Sequence, residues 1–395
     1  MSLVEIGTAI PLSLPVPHPV AANWLEEMSR LGTAEAMRRA MAERYPGLTS
    51  HPRRLAIVGA AAEGRRLAAL CQAQGIEVAA IGDDSPARHG EIIAGRAVGP
   101  LDRLSGLEKD IPVVIASHRP LRTVERLRAM GFQTVLMFLV LQALEPERFP
   151  PCMFYDGWFE DLASNGDRYR RLRDRLGDDA SRRHLEAILG FRLTGDIGAL
   201  APVVDWDLYY PRDLFTFGIN EVYVDAGTFL GDSIALFIAR TGGHFTRVLG
   251  FEPDAATFPG LRANFSAEPR VELINKGLHA ASGVLRFIHA GERGSMIAAT
   301  ETAADGTIDV AALDDILGDG RVTYIKMNIE GAETDALRGA ARAIRRWRPR
   351  LAISAYHFPR DLWRIPSVIE DIDPSYRLHL RQHDAGSVET VVYAL

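Results

Sequence analysis

The chain has 395 residues, more than one ordinary core holds, so two domains are expected. It is 47% hydrophobic and 24% charged, as ordinary globular proteins are, and its net charge of −6 excludes the basic excess that nucleic-acid binding needs. Cys71 and Cys152 lie far apart, which excludes a disulfide framework and a cysteine zinc site. The longest apolar run, 134–144, falls short of the roughly 20 residues that cross a bilayer, so a soluble cytoplasmic protein is expected.

Residues 1–50 read as an extension. A lead broken by Pro11, Pro15, Pro17 and Pro19 lacks the charged start of a signal peptide, and a helical pattern follows over 21–44. Residues 51–150 alternate apolar strand runs (55–58, 77–81, 112–116 and 134–141) with helical patterns such as 121–130, which predicts a parallel sheet. Its first turn, Gly59 to Gly64, carries Ala61 where a dinucleotide fingerprint has its second glycine. Asp83 lies 83 − 59 = 24 residues on, where a ribose-binding acid would sit. The stretch from Gly82 through His89-Gly90 to Gly95 and Val98 resembles the nucleotide-sugar-binding N-terminal domain of sugar acyltransferases. A structural role for that loop is favoured over nucleotide or nucleotide-sugar binding.

Glu145-Pro146 and Phe149-Pro150-Pro151 close the first unit, and 151–219 reads as a polar helical connector. Residues 220–395 form the second unit. Its strand runs are 222–225, 247–252, 271–275, 322–329 and 350–357, and two further runs, 376–383 and 387–394, are joined at Asp384-Ala385-Gly386 as a hairpin. The hairpin sets the last strand antiparallel to the rest.

The strongest site signal is Val-Asp-Ala-Gly-Thr-Phe-Leu-Gly-Asp-Ser at 224–233. A strand ends at Asp225, and a loop with Gly227 and Gly231 leads into a helix over 233–240. Such a loop lets backbone approach a ligand, and the helix start offers N–H donors to an anion, either a pyrophosphate or a carboxylate. Glu252 ends the next strand, 252 − 225 = 27 residues beyond Asp225, where an acid can accept both hydroxyls of a ribose.

Further stretches complete a pattern: Tyr324-Ile-Lys-Met-Asn-Ile-Glu-Gly-Ala-Glu333, Pro349 to His357, Asn275 to Leu278, Leu313 to Leu317 and Glu389 to Tyr393. Together with 225–233 and 251–254, they resemble the FkbM family of S-adenosylmethionine-dependent methyltransferases over about 175 residues. The chain thus reads as two Rossmann-like α/β domains joined by a helical connector, and the resemblance implies that the second is a class I methyltransferase fold ending in an antiparallel hairpin. It implies S-adenosylmethionine as cofactor, bound by Asp225, Gly227, Thr228, Gly231, Asp232, Glu252 and Asp254. It also implies O-methylation of a sugar or other metabolite. Where the family usually has Asp, this chain has Asn328, which keeps hydrogen bonding but cannot act as a base.

Methyl transfer to a hydroxyl needs alignment and a proton acceptor near the strand ends. His357 and Glu330 are the candidates for that base, against structural readings as a core histidine and a first-turn acid. Lys326 reads as a structural cation, and no metal is assigned. The arginines of 342–350 read as a solvated helix end. The expected partner is a small-molecule or glycan acceptor, nucleotide-linked or free, with neither nucleic acid nor membrane. Rival readings are N- or C-methylation, a nicotinamide-dependent sugar-modifying enzyme using the first unit, and a non-catalytic protein that retains cofactor.

Overall fold

The computed structural model describes residues 23–45, 48, 52–117, 120–151, 154–288, 296–297, 306–384, 386 and 388–395. The proline-rich lead, Cys152 and Ala385 of the hairpin turn lie outside them. The first sheet contains β1 (Arg54–Val58), β2 (Glu77–Gly82), β3 (Ile92–Ile93), β4 (Arg96–Gly99), β5 (Val113–Ile115) and β6 (Val135–Met137), in the order β3-β4-β2-β1-β5-β6. All its pairs are parallel except β3 with β4. The apolar run at 134–141 is not one strand, because β6 gives way to the helix Phe138–Leu144. Residues 138–143 are all buried, which removes the polar face that would have revealed helical periodicity. The helix expected over 21–44 is likewise two, Trp24–Leu31 and Ala34–Ala42. Gly32 (φ 70°) ends the first, and Thr33 caps the second by accepting the Ala36 N–H.

The second half holds β7 (Val222–Ala226), β8 (Arg247–Phe251), β9 (Val271–Ile274), β10 (Gly277–Leu278), β11 (Gly283–Ile288), β12 (Met296–Ile297), β13 (Gly306–Ala311), β14 (Tyr324–Met327), β15 (Arg350–Ser354), β16 (Leu378–Gln382) and β17 (Thr390–Ala394). Seven of these form one sheet ordered β16-β17-β15-β14-β7-β8-β9, antiparallel only where β17 meets its neighbours. This is the class I methyltransferase topology, and the order of its parallel strands reverses between β7 and β14, so ligands are expected at the carboxyl ends of those strands. The other four, β10, β11, β12 and β13, make a small separate sheet.

The connector between the sheets is three helices, Trp158–Ser164, Gly166–Arg175 and Asp179–Thr194, and the last packs along β16. Asp178 caps that helix by accepting the Ser181 N–H, and its carboxylate also meets Arg381 and His379 of β16. Trp24 lies against Gly190 of the same helix, where a Cβ would come within 2.6 Å of the indole nitrogen. The connector therefore covers the edge strand of the large sheet, which would otherwise be open to pairing. One continuous apolar core includes Leu55 and Ile57 of the first sheet and Val224 and Ile353 of the second. No described helix is long and apolar enough to cross a membrane. The arginines of 342–350 all have protein partners: Arg342 with Asp314, Arg345 with the Ile372 carbonyl, Arg346 with Asp319, Arg348 with Asp373 and Arg350 with Glu221.

Candidate active site

After β7 the chain turns through Gly227 (φ 79°), Phe229 (φ 51°) and Gly231 (φ 90°) into the helix Asp232–Arg240. Only glycine fits at 227, because a Cβ there would lie 1.9 Å from the Asn328 carbonyl oxygen. No side chain caps the helix, so its first N–H donors stay available to an anionic group.

Behind the loop sits a buried ion pair. Lys326, 2% exposed, donates to Asp225 Oδ1 at 2.9 Å and to the carbonyls of Gly227 at 2.9 Å and Ala226 at 3.3 Å. The second oxygen of Asp225 accepts from Ser233. Asp225 is thus fully buried and braces the loop from below rather than facing the cleft. Thr228 is also fully buried and bonds the Phe251 carbonyl through both its N–H and its hydroxyl, while Gly231 packs against the Phe265 ring. These three expected cofactor ligands hold the loop's shape.

In front of the loop opens a cleft enclosing about 1110 Å³, counting its mouth. Gly227, Asp232, Glu252, Asp254 and Glu330 line it. Glu252 ends β8 and accepts the N–H groups of Phe229 and Asp254, both at 2.9 Å. Burial nonetheless raises its pKa, as desolvation disfavours the charged form. Leu278, Phe287, Ile308 and Val310 of the small sheet make an apolar wall. Tyr209, Asn328, Glu330 and Glu389 form the polar end. Of the six described non-glycine residues with left-handed φ, four (Tyr209, Phe229, Glu330 and Glu389) line this cleft. Strained backbone gathers where function over-determines it, and here it marks the cleft.

His357, the other candidate base, stands apart from the residues that line the cleft. It is fully buried, does not line the cleft, and sits among carboxylates: Glu333 Oε1 at 3.0 Å from Nδ1 and Glu330 Oε2 at 3.7 Å from Nε2. Burial pulls its pKa down, but Glu333, Glu330 and Asp361 together lift it to about 9. Asp361 is in turn pushed up to about 7, first by burial and then by Glu333. A buried, already protonated imidazole is a poor proton acceptor.

Sequence reasoning left Tyr209 in the connector and gave Glu389 no role. Only the fold brings Tyr209 and Glu389, the residue before β17, to the cleft. In the first sheet, Asp83 accepts the Ala60 N–H at 2.7 Å and the Ser85 N–H at 2.8 Å, so the acid and the loop serve each other. Gly64 is filled by the Gly59 carbonyl, 1.8 Å from where its Cβ would lie. This geometry gives the loop a structural use.

Residues 225–384 match the family described as the methyltransferase FkbM domain. Over the whole chain the fold is similar to the crystal structure of methyltransferase FkbM from Methylobacillus flagellatus KT, at 28% identity and a TM-score of 0.73. The match covers 94% of this chain and 98% of that one, and so includes both sheets. An rRNA methylase from Streptococcus thermophilus is similar at 17% identity and a TM-score of 0.30, over 49% of this chain and 89% of that one. No curated protein matches significantly.

Proposed function

We propose, from the match of residues 225–384 to the methyltransferase FkbM domain, that the cleft holds S-adenosylmethionine and that the protein methylates a hydroxyl of a sugar or sugar-containing metabolite. The observation that carries this reading is Glu252, a buried carboxylate lining the cleft at the end of the strand beside the glycine loop. Its oxygens each accept one N–H, and each retains a lone pair for a ribose hydroxyl.

The residues fit such a cofactor. Gly227 admits close backbone approach, the uncapped helix start of Asp232–Arg240 suits a carboxylate, and Leu278, Phe287, Ile308 and Val310 suit a flat apolar ring. When bound, the cofactor supplies a methyl carbon made electrophilic by positive sulfur. The protein's own tasks are then alignment and proton removal. Glu330 is the candidate base that lines the cleft, with Glu389 as a second carboxylate there. The Asn328 amide oxygen accepts from the Tyr356 hydroxyl at 3.2 Å, so Asn328 orients the polar end without acting as a base.

Carboxylates and an amide favour a hydroxyl-rich acceptor, since they accept hydrogen bonds that sugars donate. They disfavour a phosphate-rich one, because among the described residues no arginine lines the cleft. The test is incubation with methyl-labelled S-adenosylmethionine and a panel of free sugars, nucleotide sugars and glycans, with products located by mass spectrometry. Label on a sugar oxygen is expected. Label on nitrogen or carbon would move the enzyme to another acceptor class, and cofactor binding without transfer to any acceptor would favour a non-catalytic role.

A further inference from the structure

Behind the polar end of the cleft lies a group of side chains that methyl transfer does not use. Glu333 opens the helix Glu333–Gly339, Asp361 opens the helix Asp361–Ile372, and His357 stands three residues beyond the end of β15. All three are buried, at 1%, 3% and 0% exposure. One ligand atom from each can be chosen so that all lie within 4.8 Å of one another. Ligands about 2.0–2.2 Å from one tetrahedral ion sit about 3.3–3.6 Å apart, so the three side chains would draw together on binding it.

Hydrogen bonding gives an independent sign that something belongs there. Glu333 Oε1 accepts the Ile329 N–H and Asp361 Oδ2 accepts the Phe358 N–H, both at 2.8 Å, which fixes the two carboxylates in place. Yet Glu333 Oε2 and both ring nitrogens of His357 are buried without a hydrogen-bond partner among the described residues. The His357 Nδ1 contact with Glu333 at 3.0 Å is an ion-pair distance without hydrogen-bond alignment. Three orphaned polar atoms in one buried group are costly unless a further partner completes them. The rings of Phe154 and Tyr356 lie 5.8 and 4.4 Å from that of His357.

We propose that Glu333, His357 and Asp361 bind one divalent first-row transition-metal ion. One imidazole with carboxylates suits manganese or zinc better than magnesium, which prefers oxygen ligands and keeps its waters. The ion would lie beside Glu330, whose Oε2 is 3.7 Å from His357 Nε2, and would hold that residue's backbone turn (φ 54°) at the cleft.

The test uses full-length protein stripped with a chelator and titrated calorimetrically with Mn²⁺, Zn²⁺ and Mg²⁺, with no cofactor present. One Mn²⁺ or Zn²⁺ per chain is expected, together with a higher melting temperature. Asp361→Asn should bind at least about a hundredfold more weakly while keeping its circular dichroism spectrum, and His357→Gln should do the same. Should one variant fail to fold, the other carries the comparison. Wild-type protein taking up no ion, or Asp361→Asn binding as wild type does, overturns the proposal and leaves a protonated histidine as the occupant. Because S-adenosylmethionine is absent, either outcome stands apart from the cofactor reading.

Discussion

Lys326→Met is expected to destabilise the protein by about 3–5 kcal/mol, measured by chemical denaturation, because it leaves a buried carboxylate without its cation. Asp225 has no exposed surface, and Ser233 alone would remain to it. The same substitution removes the donor that ties the Ala226 and Gly227 carbonyls to β14, so the glycine loop should also lose its shape. The double variant Lys326→Met with Asp225→Asn separates these effects. Neutralising both partners removes the stranded charge and should restore a large part of the lost stability, while the loop stays untied and ligand binding stays weak. A double variant as unstable as Lys326→Met alone would show that the ion pair is not the source of the loss.

Glu330→Gln is expected to lower turnover by about a hundredfold or more while leaving cofactor affinity within a few-fold of wild type. The substitution keeps size and hydrogen bonding but removes the basic oxygen, and Glu330 faces the cleft where His357 does not. Single-turnover rates on the acceptor found by product analysis, paired with cofactor titrations, make the comparison. If Glu330→Gln turns over as wild type does and Glu389→Gln does not, the proton goes to Glu389 instead.

The large sheet was legible because its strands are apolar runs that end in Asp225, Glu252 or Asn328, and because Gly227 and Gly231 mark the turn after β7. The small sheet was not. Gly277–Leu278 is too short to show a period, and the burial of β11 does not alternate, with Val284 64% exposed. Its contribution, the apolar wall of Phe287, Ile308 and Val310, was therefore hidden.

Among the site residues, chemical type was readable but direction was not. Asp225 and Glu252 are both acids at strand ends, yet one is turned inward by Lys326, 101 residues away in sequence, and the other faces the cleft. The same limit applied to His357. Its neighbours Glu333 and Asp361 open two separate helices, and only the fold brings the three together. Glu389 lay inside a terminal stretch read as a strand and as part of the family pattern, with nothing in its type or spacing to bring it to the same cleft as Glu330.

The central claim is that this cleft binds S-adenosylmethionine through Glu252, and equilibrium affinity tests it most directly. Calorimetric titration of wild-type protein and Glu252→Ala with S-adenosylmethionine should give one site per chain in the wild type. The variant should bind at least about 10-fold more weakly, each charge-assisted hydrogen bond to a ribose hydroxyl being worth about 1.5–3 kcal/mol. Equal affinity in the two proteins, or no binding to a folded wild type, would contradict the account.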